Sequence, residues 1–146
     1  MIKFKFFIFF FITFVFYTNT QKASEILIYA DNISYDSNEN VIARGNAKII
    51  YNQKILTSDL IIYDKKNDQY NLPSNFDFKD DKNNYYSGTS GNFSKDLSSA
   101  EIQNIKLRLN DGSRIVGKSA IKNGDIDIIT KGAFSPCNSK IKIGSF

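Results

Sequence analysis

From about residue 25 onward the chain alternates apolar and polar side chains nearly everywhere between its turns, and this period of two constrains its fold more than any other feature. "NVIARGNAKIIY" puts Val41, Ala43, Ala47, Ile49 and Tyr51 on one face and Arg44, Asn46 and Lys48 on the other. "IQNIKLRLN" sets Ile105, Leu107 and Leu109 opposite Lys106 and Arg108, and "GDIDIITKG" alternates Ile126 and Ile128 with Asp125 and Asp127. Alternation of this kind belongs to strands with one buried face. No stretch beyond the leader keeps a helical period for three turns. Turn signals such as "DSNEN", "DKKND", "DDKNN", "NDGS" and "KNGD" arrive about every ten residues. Asp111-Gly112 and Asn123-Gly124 suit tight hairpins in which both central residues take positive φ. The expected fold is all-β, from about ten short antiparallel strands.

A weak internal repeat refines that picture. "ADNISYDSNENVIARGNAKI" and "SDLIIYDKKNDQYNLPSNFDF" align Ala30 with Ser58, Asp31 with Asp59, Ile33 with Ile61, Tyr35 with Tyr63 and Asp36 with Asp64, in one register. Gly45-Asn46 against Ser74-Asn75 follows after one inserted residue. Strand pairs stacked on strand pairs make a solenoid-like β-taco or elongated jelly roll with a continuous interior.

The first 23 residues read as a leader. Lys3 and Lys5 precede an unbroken apolar run from Phe6 to Phe16, which then turns polar. This is the pattern of a secretory signal peptide, expected as a helix, and the run is too short to span a bilayer. Cleavage fits after Ala23 or Thr20; the absence of a clean small-residue site leaves retention as a tether open. Losing Lys3, Lys5 and Lys22 leaves 16 basic residues against 15 acidic ones, so the mature domain is close to neutral. A nucleic-acid partner is not expected, because that needs a clustered basic face.

Composition also argues against catalysis. The chain has no His and a single Cys, which removes the commonest general base, the commonest zinc ligand and any redox pair. No phosphate-binding glycine loop is present, and neither a cofactor nor a metal is expected. Asp31, Asp59 and Asp64 recur at the repeat period beside strand-to-turn junctions, where Asp bonds the backbone, so they read as structural. Cys137 follows Pro136 near the end of the chain. An odd cysteine in a secreted chain implies an absent partner or an unpaired thiol.

The alternating face leaves two readings open. If two sheets close fully, Val41, Ala43, Ala47, Ile49, Ile61, Ile105, Leu107, Leu109, Ile126 and Ile128 are ordinary core. If the sheets splay, the same side chains line a groove able to take acyl chains. A stack that does not close also leaves an unpaired edge at each end, a site for strand addition. Ile26, Leu27, Ile28, Tyr29 and Ala30 are the candidate partner-facing edge.

At this level of detail the chain resembles a known family. "AD-x-I-x-YD" at Ala30–Asp36, "GN-x-x-I" at Gly45–Ile49 and "SD-x-I-x-YD" at Ser58–Asp64 are similar to the OstA-like domain of the lipopolysaccharide-transport proteins, the LptA, LptC and LptD type. The resemblance continues through "LNDGSRIVGKSA" to "GAFSPC". Within the family it is most similar to the N-terminal periplasmic domain of the assembly protein LptD, truncated before the barrel. The resemblance implies a β-jelly-roll domain over residues 24–137, with 138–146 as a tail leading to a missing barrel. It implies a non-enzymatic role in lipopolysaccharide transport and assembly, in the periplasm or outer membrane of a Gram-negative bacterium. The acyl chains of lipid A would lie along the apolar face. Partners would be a neighbouring bridge protein, joined by strand addition, and an outer-membrane lipoprotein if a barrel exists. Cys137 matches a cysteine that pairs with one near the barrel's end, so its disulfide partner would be absent from this chain. A free-standing periplasmic carrier and a structural or adhesive β-domain with a closed core are the alternatives.

Overall fold

The computed structural model describes residues 25–136. The leader, Cys137 and the tail fall outside them, so the domain limits expected at both ends do too. The described chain is all-β, as the alternation predicts, with fourteen antiparallel strands. More strands are present than the ten expected, because most passes of the chain break into two.

Each pass contributes a strand to both of two facing walls. The first wall stacks β2 (Asn32–Tyr35), the front of β3 (Val41–Tyr51), the back of β4 (Lys54–Asp64), β5 (Gln69–Leu72), β8 (Ser90–Ser94), β9 (Ser99–Gln103), β12 (Ser119–Asn123) and β13 (Ile126–Thr130). The second stacks β1 (Ile26–Tyr29), the back of β3, the front of β4, β6 (Phe76–Lys79), β7 (Tyr85–Gly88), β10 (Lys106–Arg108), β11 (Arg114–Val116) and β14 (Ala133–Ser135). Only β3 and β4 run unbroken through both walls. The other passes bend at a corner between two shorter strands.

The corner residues explain the repeat. In β3 the pairing slips between Arg44 and Ala47, and Gly45 (φ 74°) and Asn46 (φ 47°) form the bulge that turns the strand from one wall to the other. In the second copy the corner is Pro73-Ser74-Asn75, between β5 and β6, and the Ser58 hydroxyl donates to the Asn75 carbonyl at 2.9 Å. The repeated residues stack directly: Ile33 pairs with Ala43, which pairs with Ile61, and Tyr35 pairs with Val41, which pairs with Tyr63. The 28-residue repeat is thus two passes of the chain.

At the open side, opposite the corners, the hairpin turns are tied by carboxylates. Asp36 Oδ1 accepts from the Asn38 and Asn40 amides at 2.8 and 2.9 Å, and Asp64 Oδ1 accepts from Lys66 and Asn67 at 2.9 and 3.1 Å. These bonds hold the Asp36 and Asp64 carboxyls below their usual range. Asp64 therefore acts on the backbone, as its position beside a turn suggests; Asp31 accepts from Asn46 Nδ2 at 2.9 Å. Asp80 and Asn84 repeat the Asp36–Asn40 turn bond for bond. Two turn expectations need correction. Of Asp111-Gly112 and Asn123-Gly124, only the glycines take positive φ, and Asn123 ends β12, so that turn is centred on Gly124-Asp125.

The walls pack face to face around aromatic rings. Phe93 of the first wall meets Phe76 and Phe78 of the second, both edge-on at 5.2 Å between centroids. Such pairs contribute about 0.5–1.5 kcal/mol each beyond their buried area.

Candidate functional site

Two rungs of inward side chains run the length of the walls. In the second wall they are Ile28, Ile49, Leu56, Phe78, Tyr86, Leu107, Ile115 and Phe134, one from each pass. In the first wall Val41, Tyr63, Tyr70, Phe93, Ala100, Lys122 and Asp127 follow the same course. Midway the interior is filled: Ile49, Leu56 and Ile102 are fully buried, and Tyr70, Phe78 and Phe93 nearly so. Burial pushes the Tyr70 hydroxyl up to about 12. At the ends the rungs open, because the last strand has a neighbour on one side only. Tyr35 is 74% exposed at one end and Phe134 62% at the other.

Eight of the ten groove candidates face this interior. Ala43, Ala47, Ile49, Ile61, Ile105 and Leu107 are buried, and Val41 and Leu109 half-buried. Ile126 and Ile128 do not belong to it. They lie on the outer face, 64% and 58% exposed, and Ile128 pairs with the exposed Ile121. The hairpin sets Ile126 opposite Asn123 and Asp127 opposite the buried Lys122, so the inward positions of β13 are Asp127 and Ile129.

The open side of the two walls is closed by polar contacts that periodicity does not reveal. Lys122, 7% exposed, donates from Nζ to the Tyr86 hydroxyl at 3.2 Å and to the Gly124 carbonyl at 2.9 Å. Tyr86, on the opposite wall, donates to Asp127 Oδ2 at 2.9 Å, with Asp80 Oδ2 at 3.3 Å. Burial, and then the Asp127 carboxylate, pushes the Tyr86 hydroxyl far above its usual range, so it stays a neutral donor. Asp127 Oδ1 is buried without a hydrogen bond, 3.6 Å from Lys122 Nζ. Further out, Lys82 pairs with Asp125 across the seam at 2.7 Å, and Lys54 Nζ donates to the Asp96 carbonyl at 3.1 Å. A cavity of about 210 Å³ lies among these groups. A larger hollow of about 600 Å³ lies on the outer side of the second wall, among Lys48, Thr57, Asp77, Ser87 and Lys106, and is not part of the apolar interior.

The edge expected at Ile26–Ala30 is strand β1, Ile26–Tyr29, and among the described residues it pairs with β3 alone. Leu27 and Tyr29 point outward, 37% and 52% exposed. β2 is a second edge at the same end, and β13 and β14 are the two at the other. Among the described residues no cluster of three or more potential metal ligands occurs, and no helix is long and apolar enough to cross a membrane.

Paired walls built strand by strand from one winding chain are also seen in a solved structure. The fold is shared. The crystal structure of LptH, "the LptA homologous periplasmic component of the conserved lipopolysaccharide transport device from Pseudomonas aeruginosa", superposes with a TM-score of 0.62, over 73% of this chain and 82% of LptH. Sequence identity is 14%, so the likeness is one of fold. No protein-family model matches the chain, and no curated protein does.

Proposed function

We propose that the chain is a non-catalytic lipopolysaccharide-transport domain, whose apolar interior shields the acyl chains of lipid A while the sugar head stays in water. The observation that carries this reading is the inward rung of the second wall, apolar and aromatic across all eight passes and open at both ends, in a fold shared with a periplasmic transport component. Burying apolar surface gains about 25 cal/mol per Å², the driving force for drawing acyl chains between the walls. The edge strands β1 and β2 at one end, β13 and β14 at the other, would pair with neighbouring transport domains. On the same reading the domain works in the periplasm or at the outer membrane. We further propose an LptD-type origin, in which Cys137 would bond to a barrel cysteine.

Full burial of Ile49, Leu56 and Ile102 favours a second reading, a structural β-domain with a permanently closed core. A photo-crosslinking amino acid at Ile115, inward and half-buried, separates the two. Ultraviolet capture of lipopolysaccharide from Ile115 and not from the outward Ile121 is the expected result. Equal capture from both, or from neither, overturns the carrier reading.

A further inference from the structure

We infer that the buried Lys122–Asp127–Tyr86 cluster is a reversible latch, which holds the two walls shut and must part before an acyl chain can enter; the inference rests on the carrier reading. Lys122 occupies an inward rung position between Ala100 and Asp127, with Phe93 beyond Ala100. An apolar residue there would complete the core. Replacing a buried ion pair by well-packed apolar groups is often neutral or stabilising, so stability alone does not call for a lysine at that position.

The charges do something an apolar seam could not. When the walls separate, an ammonium and a carboxylate recover hydration, whereas apolar groups would lose their burial and gain nothing. A charged seam therefore lowers the cost of opening while still fixing the register of closure. The partners lie on opposite walls: Lys122 and Asp127 on the first, Tyr86 and Asp80 on the second. Asp127 Oδ1 lacks a hydrogen bond in the closed state, which weakens the closed form relative to a hydrated open one. The interior behind the latch is filled by Phe78 and Phe93, so an acyl chain has no room until the walls move.

The test bolts the seam at its rim. In a full chain carrying Cys137→Ser, Lys82→Cys and Asp125→Cys are joined by a short bismaleimide containing an internal disulfide. Radiolabelled lipid A is offered in detergent micelles, and protein-bound label is read after gel filtration. The unbridged protein should take up label, the bridged protein should lose that uptake, and cleavage of the bridge by a reductant should restore it. Undiminished uptake by the bridged protein overturns the latch and leaves the carrier reading standing. No uptake by the unbridged protein overturns the carrier reading, and the latch with it.

Discussion

Asp31 fills the space that a side chain on Gly45 would need. A β-carbon there would stand 2.5 Å from Asp31 Oδ2, and the Asp31 amide donates to the Gly45 carbonyl at 2.9 Å. Two of the sequence elements that resemble the transport family, "AD" and "GN", are therefore one corner, at which adjacent passes cross from wall to wall together.

Gly45→Ala should destabilise the domain by about 1–3 kcal/mol, since alanine at φ 74° is strained before any clash is counted. Adding Asp31→Ala should recover only the part due to the clash. Urea unfolding of the single and double variants measures both.

The latch separates two kinds of mutant. Lys122→Met alone strands the Asp127 carboxylate behind the seam and should cost about 3–5 kcal/mol. Lys122→Met with Asp127→Leu removes both charges and should be neutral or stabilising, by up to about 4 kcal/mol. Thermal unfolding reads the difference; equal losses in both variants would contradict a buried ion pair.

The orientation of β13 gives a mutational contrast. Ile49→Asp puts an unpaired carboxylate into a fully buried site and should unfold the domain. Ile128→Asp, on the outer face, should change stability by no more than about 0.5 kcal/mol. Circular dichroism and urea midpoints decide, and a severe loss from Ile128→Asp would reverse the assignment of faces.

Turn carboxylates set the acid limit. Hydrogen bonds hold Asp36, Asp64 and Asp111 below the ordinary value of 3.8. A carboxyl depressed in the folded state contributes stability that is present above its unfolded value and lost as pH falls through the folded one. The melting temperature should therefore be insensitive to these groups near neutrality and fall below about pH 4. An Asp36→Asn, Asp64→Asn variant should be less stable at pH 7 and show a shallower acid decline.

Period two made the fold class legible, and the 28-residue spacing made the stack legible, because each corner displaces the alternation only locally. Strand number was not legible for the same reason: a corner of one to three residues leaves little trace in a pattern of apolar and polar residues. The phase of β13 was hidden by Ile128 and Ile129 standing side by side, which permits either face to point inward. Pairing across the Gly124-Asp125 turn decides it, with Asp127 turned in toward Lys122. The latch broke the rule that reads inward positions as apolar, so Lys122 and Tyr86 gave no sign of meeting. Whether the walls stand apart or together depends on contacts between them, and alternation along one strand carries none of that.

Because every pass adds one strand to each wall, the length of the slot is counted in whole passes. Neighbouring strands lie about 4.8 Å apart, so two passes, some 28 residues, change the slot by roughly 10 Å. A single pass would reverse the direction of everything after it, exchanging the wall on which the chain finishes. Pairs of passes are thus the natural increment for fitting such a domain to a longer or shorter span, with Asp31–Asp59 marking where one could be cut or copied.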